Sequence, residues 1–220
     1  MGLTGYGARE WGAVTVACAL AAALLGWLGL WWWTVPVGVV WLALVAFFRD
    51  PWFRRPASGD PNDMVSPADG RISAIEDVER HAATGGPAKV IRIFLSVLDV
   101  HVNRFPCDGR VESVTHFPGR YLDARTAESA KVNESNVTVL AIASGERVGI
   151  KQISGAIARR IVCAAAPGAQ ARRAARFGMI KFGSTTELIL PRPQDVSVRV
   201  KVGDRVTGGV TILATLRAPR

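Results

Sequence analysis

Ser184 follows Gly183, precedes Thr185 and begins the last 37 residues of a 220-residue chain. That placement lets a polypeptide react with itself. The serine hydroxyl can add to the carbonyl of the residue before it and replace the amide by an ester. β-Elimination then cuts the chain and leaves a new N-terminus that hydrolyses to a pyruvoyl group, a covalent electron sink. Glycine before the serine suits the step, because without a Cβ it leaves the carbonyl open and tolerates the distortion of addition. The tripeptide alone also fits an ordinary turn or strand edge. Two further segments hold residues able to serve such chemistry. Ser66-Pro67-Ala68-Asp69-Gly70 offers a carboxylate, and Asp99-Val100-His101-Val102-Asn103-Arg104 an imidazole. Imidazole moves protons near neutral pH. In isolation Ala-Asp-Gly reads as a turn, and one histidine on a strand as a structural residue. His81 and His116 lie outside any motif and receive no role.

Taken together and in this order, the Asp69, His101 and Phe182-Gly183-Ser184-Thr185 segments resemble the phosphatidylserine decarboxylases, in the short class with an N-terminal membrane hairpin. The resemblance runs from about Phe47 to Leu216. It implies a proenzyme that cuts itself between Gly183 and Ser184 into a β chain (1–183) and an α chain (184–220), which stay together as a heterodimer. Ser184 would become the pyruvoyl cofactor. Its ketone would condense with the amine of phosphatidylserine, and the protonated imine would accept the electrons released as CO2 leaves, as pyridoxal phosphate does. Reprotonation and hydrolysis would give phosphatidylethanolamine. His101 matches the family histidine associated with decarboxylation, and Asp69 the aspartate implicated in self-cleavage. In the longer bacterial relatives a second histidine completes a protease-like triad with Asp and Ser. Arg104 stands at that position here and stays protonated. Either His101 serves both steps or Asp69 acts with a water. Arg104, fixed in the His101 motif, is the candidate to bind the lipid phosphodiester, ahead of Arg159, Arg160, Arg172, Arg173, Arg176 and Lys181.

The elements that must position these residues fall into two parts, a membrane hairpin at 1–50 and a catalytic domain at 51–220. From Trp11 to Phe48 the chain contains no Asp, Glu, Lys, Arg or His, and all seven tryptophans fall at or before Trp52. At ~1.5 Å per residue this run is about twice the ~30 Å bilayer core, so two spans are expected, near 12–30 and 33–48. Thr34-Val35-Pro36 is the expected reversal, with Trp31 to Trp33 at the far interface. The second arm is short, so a re-entrant hairpin is the competing form. A signal peptide does not fit, since the run is long and only Arg9 precedes it. Arg49, Arg54 and Arg55 after the run place the catalytic part on the cytoplasmic side of the cell membrane.

The net charge of +9 belongs to the part after residue 50, because Arg9 and Arg49 balance Glu10 and Asp50 before it. A basic domain tethered to a bilayer is drawn to anionic headgroups. Nucleic acid is not expected as a partner, for aromatics are few in this part and no recognition motif occurs. Cys18, Cys107 and Cys163 form no pair at metal-binding or redox spacing, and three scattered histidines give no metal site. The sequons at Asn133 and Asn136 would be silent in a cytosolic compartment.

Past Pro56, short β-rich runs alternate with Gly, Pro and Asp, which predicts a mainly β domain. Strands are expected at 90–95, 109–115, 137–142, 146–153, 157–164, 186–190, 196–202 and 211–216, with 121–131 as a short helix or loop. Val200 to Gly209 is similar to the turn of lipoyl- and biotinyl-type barrels but lacks their prosthetic lysine at the tip. A membrane-tethered barrel acting only as a binding or adaptor module is the alternative function. It leaves the joint occurrence of Asp69, His101 and Ser184 unaccounted for.

Overall fold

The structure, a computed structural model, describes residues 2–126, 128–156, 160–181 and 183–217. The chain divides into two compact units, Met1–Phe53 and Arg54–Arg220.

In the first unit, β1 (Gly2–Leu3) pairs antiparallel with β2 (Arg49–Asp50) at the base of two helices, α1 (Ala8–Trp27) and α2 (Thr34–Phe47). No residue of α1 is buried, although nearly all its side chains are apolar, so it suits a nonaqueous surrounding rather than a soluble core. Gly5–Trp27 is long and apolar enough to cross a membrane. The 14 residues of α2 span only about 21 Å. Between the helices, the Trp41 indole N–H donates to Thr15 Oγ1 at 3.0 Å, while that hydroxyl donates to the Trp11 carbonyl at 2.7 Å. The reversal does not lie at Thr34 to Pro36. It falls at Leu28 to Leu30, where Gly29 adopts φ 75° and Leu30 N–H reaches back to the Leu25 carbonyl at 2.8 Å. A left-handed residue after the last turn ends a helix well. Pro36 instead occupies the first turn of α2, where its missing N–H costs nothing.

The second unit is mainly β. In chain order its elements are β3 (Asp63–Val65), β4 (Gly70–His81), β5 (Gly86–Leu95), β6 (Val102–Arg104), β7 (Gly109–Phe117), α3 (Ser129–Val132), β8 (Ser135–Ala141) and β9 (Arg147–Ile153). There follow β10 (Arg160–Cys163), β11 (Gln170–Ala171), β12 (Arg176–Lys181), β13 (Ser184–Pro191), β14 (Val196–Val198), β15 (Arg205–Val206) and β16 (Ile212–Leu216). An eight-stranded antiparallel sheet runs β11-β7-β8-β9-β13-β5-β4-β15, and two three-stranded sheets run β10-β12-β6 and β14-β16-β3. Alternation along the strands divides the apolar residues. Ile93, Leu140, Ile150 and Leu188 join Phe177 and Leu213 in the main core, while Val90, Val139 and Ile189 form a smaller cluster.

All eight residues of β13 are buried. Its flanking strands set its register: Ser184 pairs with Leu95 of β5, and Thr185 with Ile153 of β9. Arg92 and Glu187, paired across β5 and β13, join at 2.8 Å and satisfy a charge on a buried strand. β12 belongs to one sheet and β13 to another, so the chain passes from one sheet to the other between Lys181 and Ser184. The expected cleavage bond sits at that crossing.

The structure adds one strand to those expected and shortens another. The 12-residue β4 is the longest strand among the described residues, yet its charged outward positions hid the pattern. Only Val196–Val198 of the expected 196–202 strand forms, because Lys201 to Asp204 close a turn through the Asp204 N–H to Lys201 carbonyl bond at 3.1 Å. Of the strand expected at 157–164, β10 covers Arg160–Cys163; residues 157–159, and with them Arg159, lie outside the described residues, as does Phe182.

Candidate active site

Ser184 opens β13 fully buried, and its Oγ makes no hydrogen bond among the described residues. A buried hydroxyl left unsatisfied costs about 1–3 kcal/mol, so a folded chain that keeps one has a use for it. Gly183 adopts φ 69°, a region that glycine enters without the penalty a Cβ imposes.

His101 stands at the same crossing, fully buried, just before β6. Its carbonyl accepts from Ile180 N–H at 3.3 Å, which ties it to β12. The ring is oriented from both sides. Nδ1 lies 2.9 Å from the Asp99 carbonyl, and since a carbonyl only accepts, Nδ1 carries the proton. Nε2 then accepts from Gly183 N–H at 3.3 Å. This tautomer sets Nε2 against the peptide unit that immediately precedes Ser184.

The Asp99 side chain fixes the turn that makes this possible. Its carboxylate accepts from Ser96 N–H at 2.9 Å and from Arg205 Nη2 at 3.1 Å. A buried chain of amides braces the strand behind Ser184. Asn136 Nδ2 donates to Gln152 Oε1 at 3.3 Å, Gln152 Nε2 to Asn103 Oδ1 at 2.8 Å, and Asn103 Nδ2 to Thr186 Oγ1 at 3.1 Å. Thr186 shares a sheet face with Ser184. On the other face, Thr185 Oγ1 donates to the Ala124 carbonyl at 3.1 Å. Gly155 completes the surroundings: a Cβ there would lie 2.3 Å from the Gly183 carbonyl oxygen. Only a glycine lets the main chain come so near that carbonyl.

Asp69 is placed elsewhere. Both its oxygens receive Arg54, with Nη2 to Oδ2 at 2.8 Å, and Gly208 N–H donates to Oδ1 at 2.9 Å. Arg71 pairs with Phe94 while Ser184 pairs with Leu95, so β5 separates the Asp69 end of β4 from Ser184 by two strand spacings, about 10 Å. Arg104 is also buried, with Nη1 donating to the Ala174 carbonyl at 3.0 Å and its N–H to the Pro67 carbonyl at 2.9 Å. It ties the Asp69 segment to the approach of β12 and presents no open guanidinium to a lipid. In the expected basic cluster, Arg160, Arg172 and Arg176 are exposed and Lys181 is buried. Arg173 binds the Asp60 and Asp63 carbonyls.

Thus the fold brings His101 to the Gly183 amide that precedes Ser184 and keeps Asp69 and Arg104 in contacts of their own. Reading the sequence missed Asp99, Gly155 and the Asn103–Gln152 pair. Asp99 and Asn103 left a trace, as members of the motif around His101. A cavity of about 250 Å³ opens beside the crossing, lined by Phe94, Leu95, Val97, Asp123, Ala124, Arg125, Ala156 and Gly183. The described residues hold no cluster of His, Cys, Asp and Glu fit for a metal ion.

Comparison with known proteins agrees with the order of the motifs. Residues 42–214 match the family model described as phosphatidylserine decarboxylase. Among similar proteins named phosphatidylserine decarboxylase proenzyme, that of Magnetococcus marinus is 34% identical over 93% of this chain and 91% of its own length. That of Pelobacter propionicus is 39% identical over 93% and 90%, and that of Cupriavidus pinatubonensis 39% over 84% and 83%.

Proposed function

The chain belongs to the phosphatidylserine decarboxylase family, and on that premise we propose that it is a proenzyme which cleaves itself at Gly183–Ser184 and then decarboxylates phosphatidylserine to phosphatidylethanolamine. The observation that carries this reading is the unbonded, buried Ser184 Oγ one residue from the amide held by His101 Nε2. Membership of the family does not favour the adaptor alternative.

His101 is proposed as the base. Nε2 takes the Ser184 Oγ proton, Oγ bonds to the Gly183 carbonyl carbon, and the amide nitrogen leaves with a proton, converting the amide to an ester. The left-handed Gly183 and the bare flank of Gly155 leave room for the carbonyl carbon to become tetrahedral. Loss of the Ser184 α-proton then expels the Gly183 carboxylate and breaks the Ser184 Cβ–Oγ bond. Water replaces the nitrogen at residue 184 as ammonia, so the new terminus is a ketone. A pyruvoyl group at position 184 supplies an electron sink for decarboxylation. The residues fit it, because the hydroxyl that must be consumed is the one buried hydroxyl without a bond among the described residues. After cleavage His101 is placed to return a proton to the product carbon. Asp69 and Arg104 are proposed as positioning residues that hold the β4 and β6 ends together.

The two fragments, 1–183 and 184–220, are proposed to remain one body, since β13 is hydrogen-bonded along both edges to strands of the larger fragment. We further propose that Gly5–Trp27 anchors the chain in the membrane, with the basic second unit on the cytoplasmic side and drawn to anionic lipid. The turn at Lys201 to Asp204 is proposed as the counterpart of the lipoyl-type hairpin, without its chemistry.

Intact mass of the detergent-solubilised chain under denaturing conditions tests the reading. Two fragments meeting at Gly183/Ser184, the smaller one gaining mass on borohydride reduction, are expected, together with CO2 release from phosphatidylserine. Ser184→Ala should remain a single inactive chain. An uncleaved wild-type chain that is nevertheless active would remove the proposed electron sink.

A further inference from the structure

The cavity beside the cleavage bond has one strongly charged rim. Arg125 and Asp123 lie on it, with Gly183 in the wall and Val97, Ala124 and Ala156 among the apolar lining. The turn that carries Arg125 is fixed. Arg125 N–H and Nε donate to Asp123 Oδ1 at 3.0 and 3.1 Å, and Thr126 N–H donates to the Asp123 carbonyl at 3.1 Å. The residue between them, Ala124, accepts from Thr185 Oγ1. Arg125 is therefore held through one intervening residue to the strand position next to Ser184. Its Nη2 also faces Asp123, at 2.6 Å, and Nη1 is left toward solvent with no bond among the described residues.

Resting on the decarboxylase reading above, we propose that Arg125 binds the phosphodiester of the serine headgroup and so selects phospholipid over other serine compounds. The headgroup carries two anions, and their chemistry assigns them to different walls. An arginine on the carboxylate would stabilise the ground state of the group that must leave as CO2, which opposes the reaction. The carboxylate belongs against Val97, Ala124 and Ala156, where loss of water favours its neutralisation. The phosphodiester keeps its charge throughout, and a guanidinium fork matches it. A cavity of about 250 Å³ is below the ~300–1,000 Å³ that encloses drug-sized ligands. It takes the headgroup and leaves the acyl chains outside.

The test uses the full chain in detergent, with cleavage checked by mass, and two substrates: phosphatidylserine and an O-alkyl serine amphiphile without phosphate. Arg125→Gln should cleave normally and lose about 10- to 100-fold in kcat/KM for phosphatidylserine, mostly through KM. Its rate on the phosphate-free amphiphile should equal that of the wild type. Asp123→Asn keeps the acceptor oxygen of the turn and removes a competing charge, so KM for phosphatidylserine should hold or fall. Equal losses on both substrates, no loss on either, or a matching KM rise in Asp123→Asn would overturn the proposal. Should Arg125→Gln stay uncleaved, Arg125→Lys is assayed in the same way, and failure of that variant to cleave would assign the residue to processing and overturn it too. A wild type that decarboxylates while Arg125→Gln matches it sinks this inference alone. A wild type that neither cleaves nor decarboxylates sinks the decarboxylase reading and this inference with it.

Discussion

The corner around Asp69 and the turn around Asp99 are built from the same parts. In each, a mostly buried carboxylate accepts from one arginine and one backbone amide: Arg54 and Gly208 for Asp69, Arg205 and Ser96 for Asp99. They differ in what the held backbone does next. Behind Asp99, the carbonyl accepts a hydrogen bond from His101 Nδ1 and so turns Nε2 toward the Gly183 amide. Behind Asp69, the chain enters β4, two strands from Ser184. A clamped carboxylate therefore says little about catalysis until the main chain it makes rigid is known.

Removing the imidazole should have the largest effect. His101→Ala is expected to slow self-cleavage by about a thousandfold, followed as the appearance of the 184–220 fragment. Cleavage at the wild-type rate would move the base to the Asp69 corner and break the contrast. Gly155→Ala comes next, because its Cβ meets the Gly183 carbonyl oxygen. A displacement of order 1 Å slows cleavage by about 10- to 100-fold, with circular dichroism unchanged. The two carboxylates then separate directly. Asp99→Asn should slow cleavage by about tenfold, as the imidazole loses its fixed seat. Asp69→Asn should instead lower stability by about 3–5 kcal/mol, the scale for stranding one partner of a buried pair, and leave cleavage of the folded fraction near wild type. Denaturant unfolding and fragment appearance, measured on both variants, read the two effects separately.

The smallest effect belongs to a residue in neither corner. His81 is half-buried and its Nδ1 accepts from Ala83 N–H at 3.1 Å. Burial holds its pKa below the ordinary histidine value, the charge of Glu187 opposes that shift, and Lys151 adds to it. The unfolded chain therefore takes up this proton first as pH falls. Stability should decline from about pH 6.5 down to the lowered folded value and level off below it. His81→Asn should flatten that limb in thermal unfolding and leave cleavage untouched. A cleavage rate that tracks the charge of His81 would tie this residue to the reaction, against its place outside both corners.

Much of the site was legible because its chemistry depends on local order. A hydroxyl one bond from a glycyl carbonyl is a property of adjacent residues, and three motifs in sequence sufficed to name the family. The strand plan was legible where β-branched runs are bounded by breakers, as at 90–95 and 146–153. It was not legible at β4, whose charged outward residues break the run, or at the hairpin reversal, where left-handed Gly29 prevailed over Pro36. Asp69 and Arg104 drew attention as members of motifs, yet their side chains found partners distant in sequence, Gly208 and Ala174.

By itself the sequence determined the reactive pair Gly183-Ser184, the uncharged run from Trp11 to Phe48 and the mainly β character of the chain past Pro56. Each depends on covalent neighbours or on short-range periodicity. Only the tertiary structure decided which histidine nitrogen is basic, that Ser184 Oγ lacks a partner among the described residues and that Gly155 borders the Gly183 carbonyl. Those facts depend on which segments the sheets bring together. β12 and β13 lie in different sheets, and where the chain passes between them His101 meets an amide 82 positions further along the sequence.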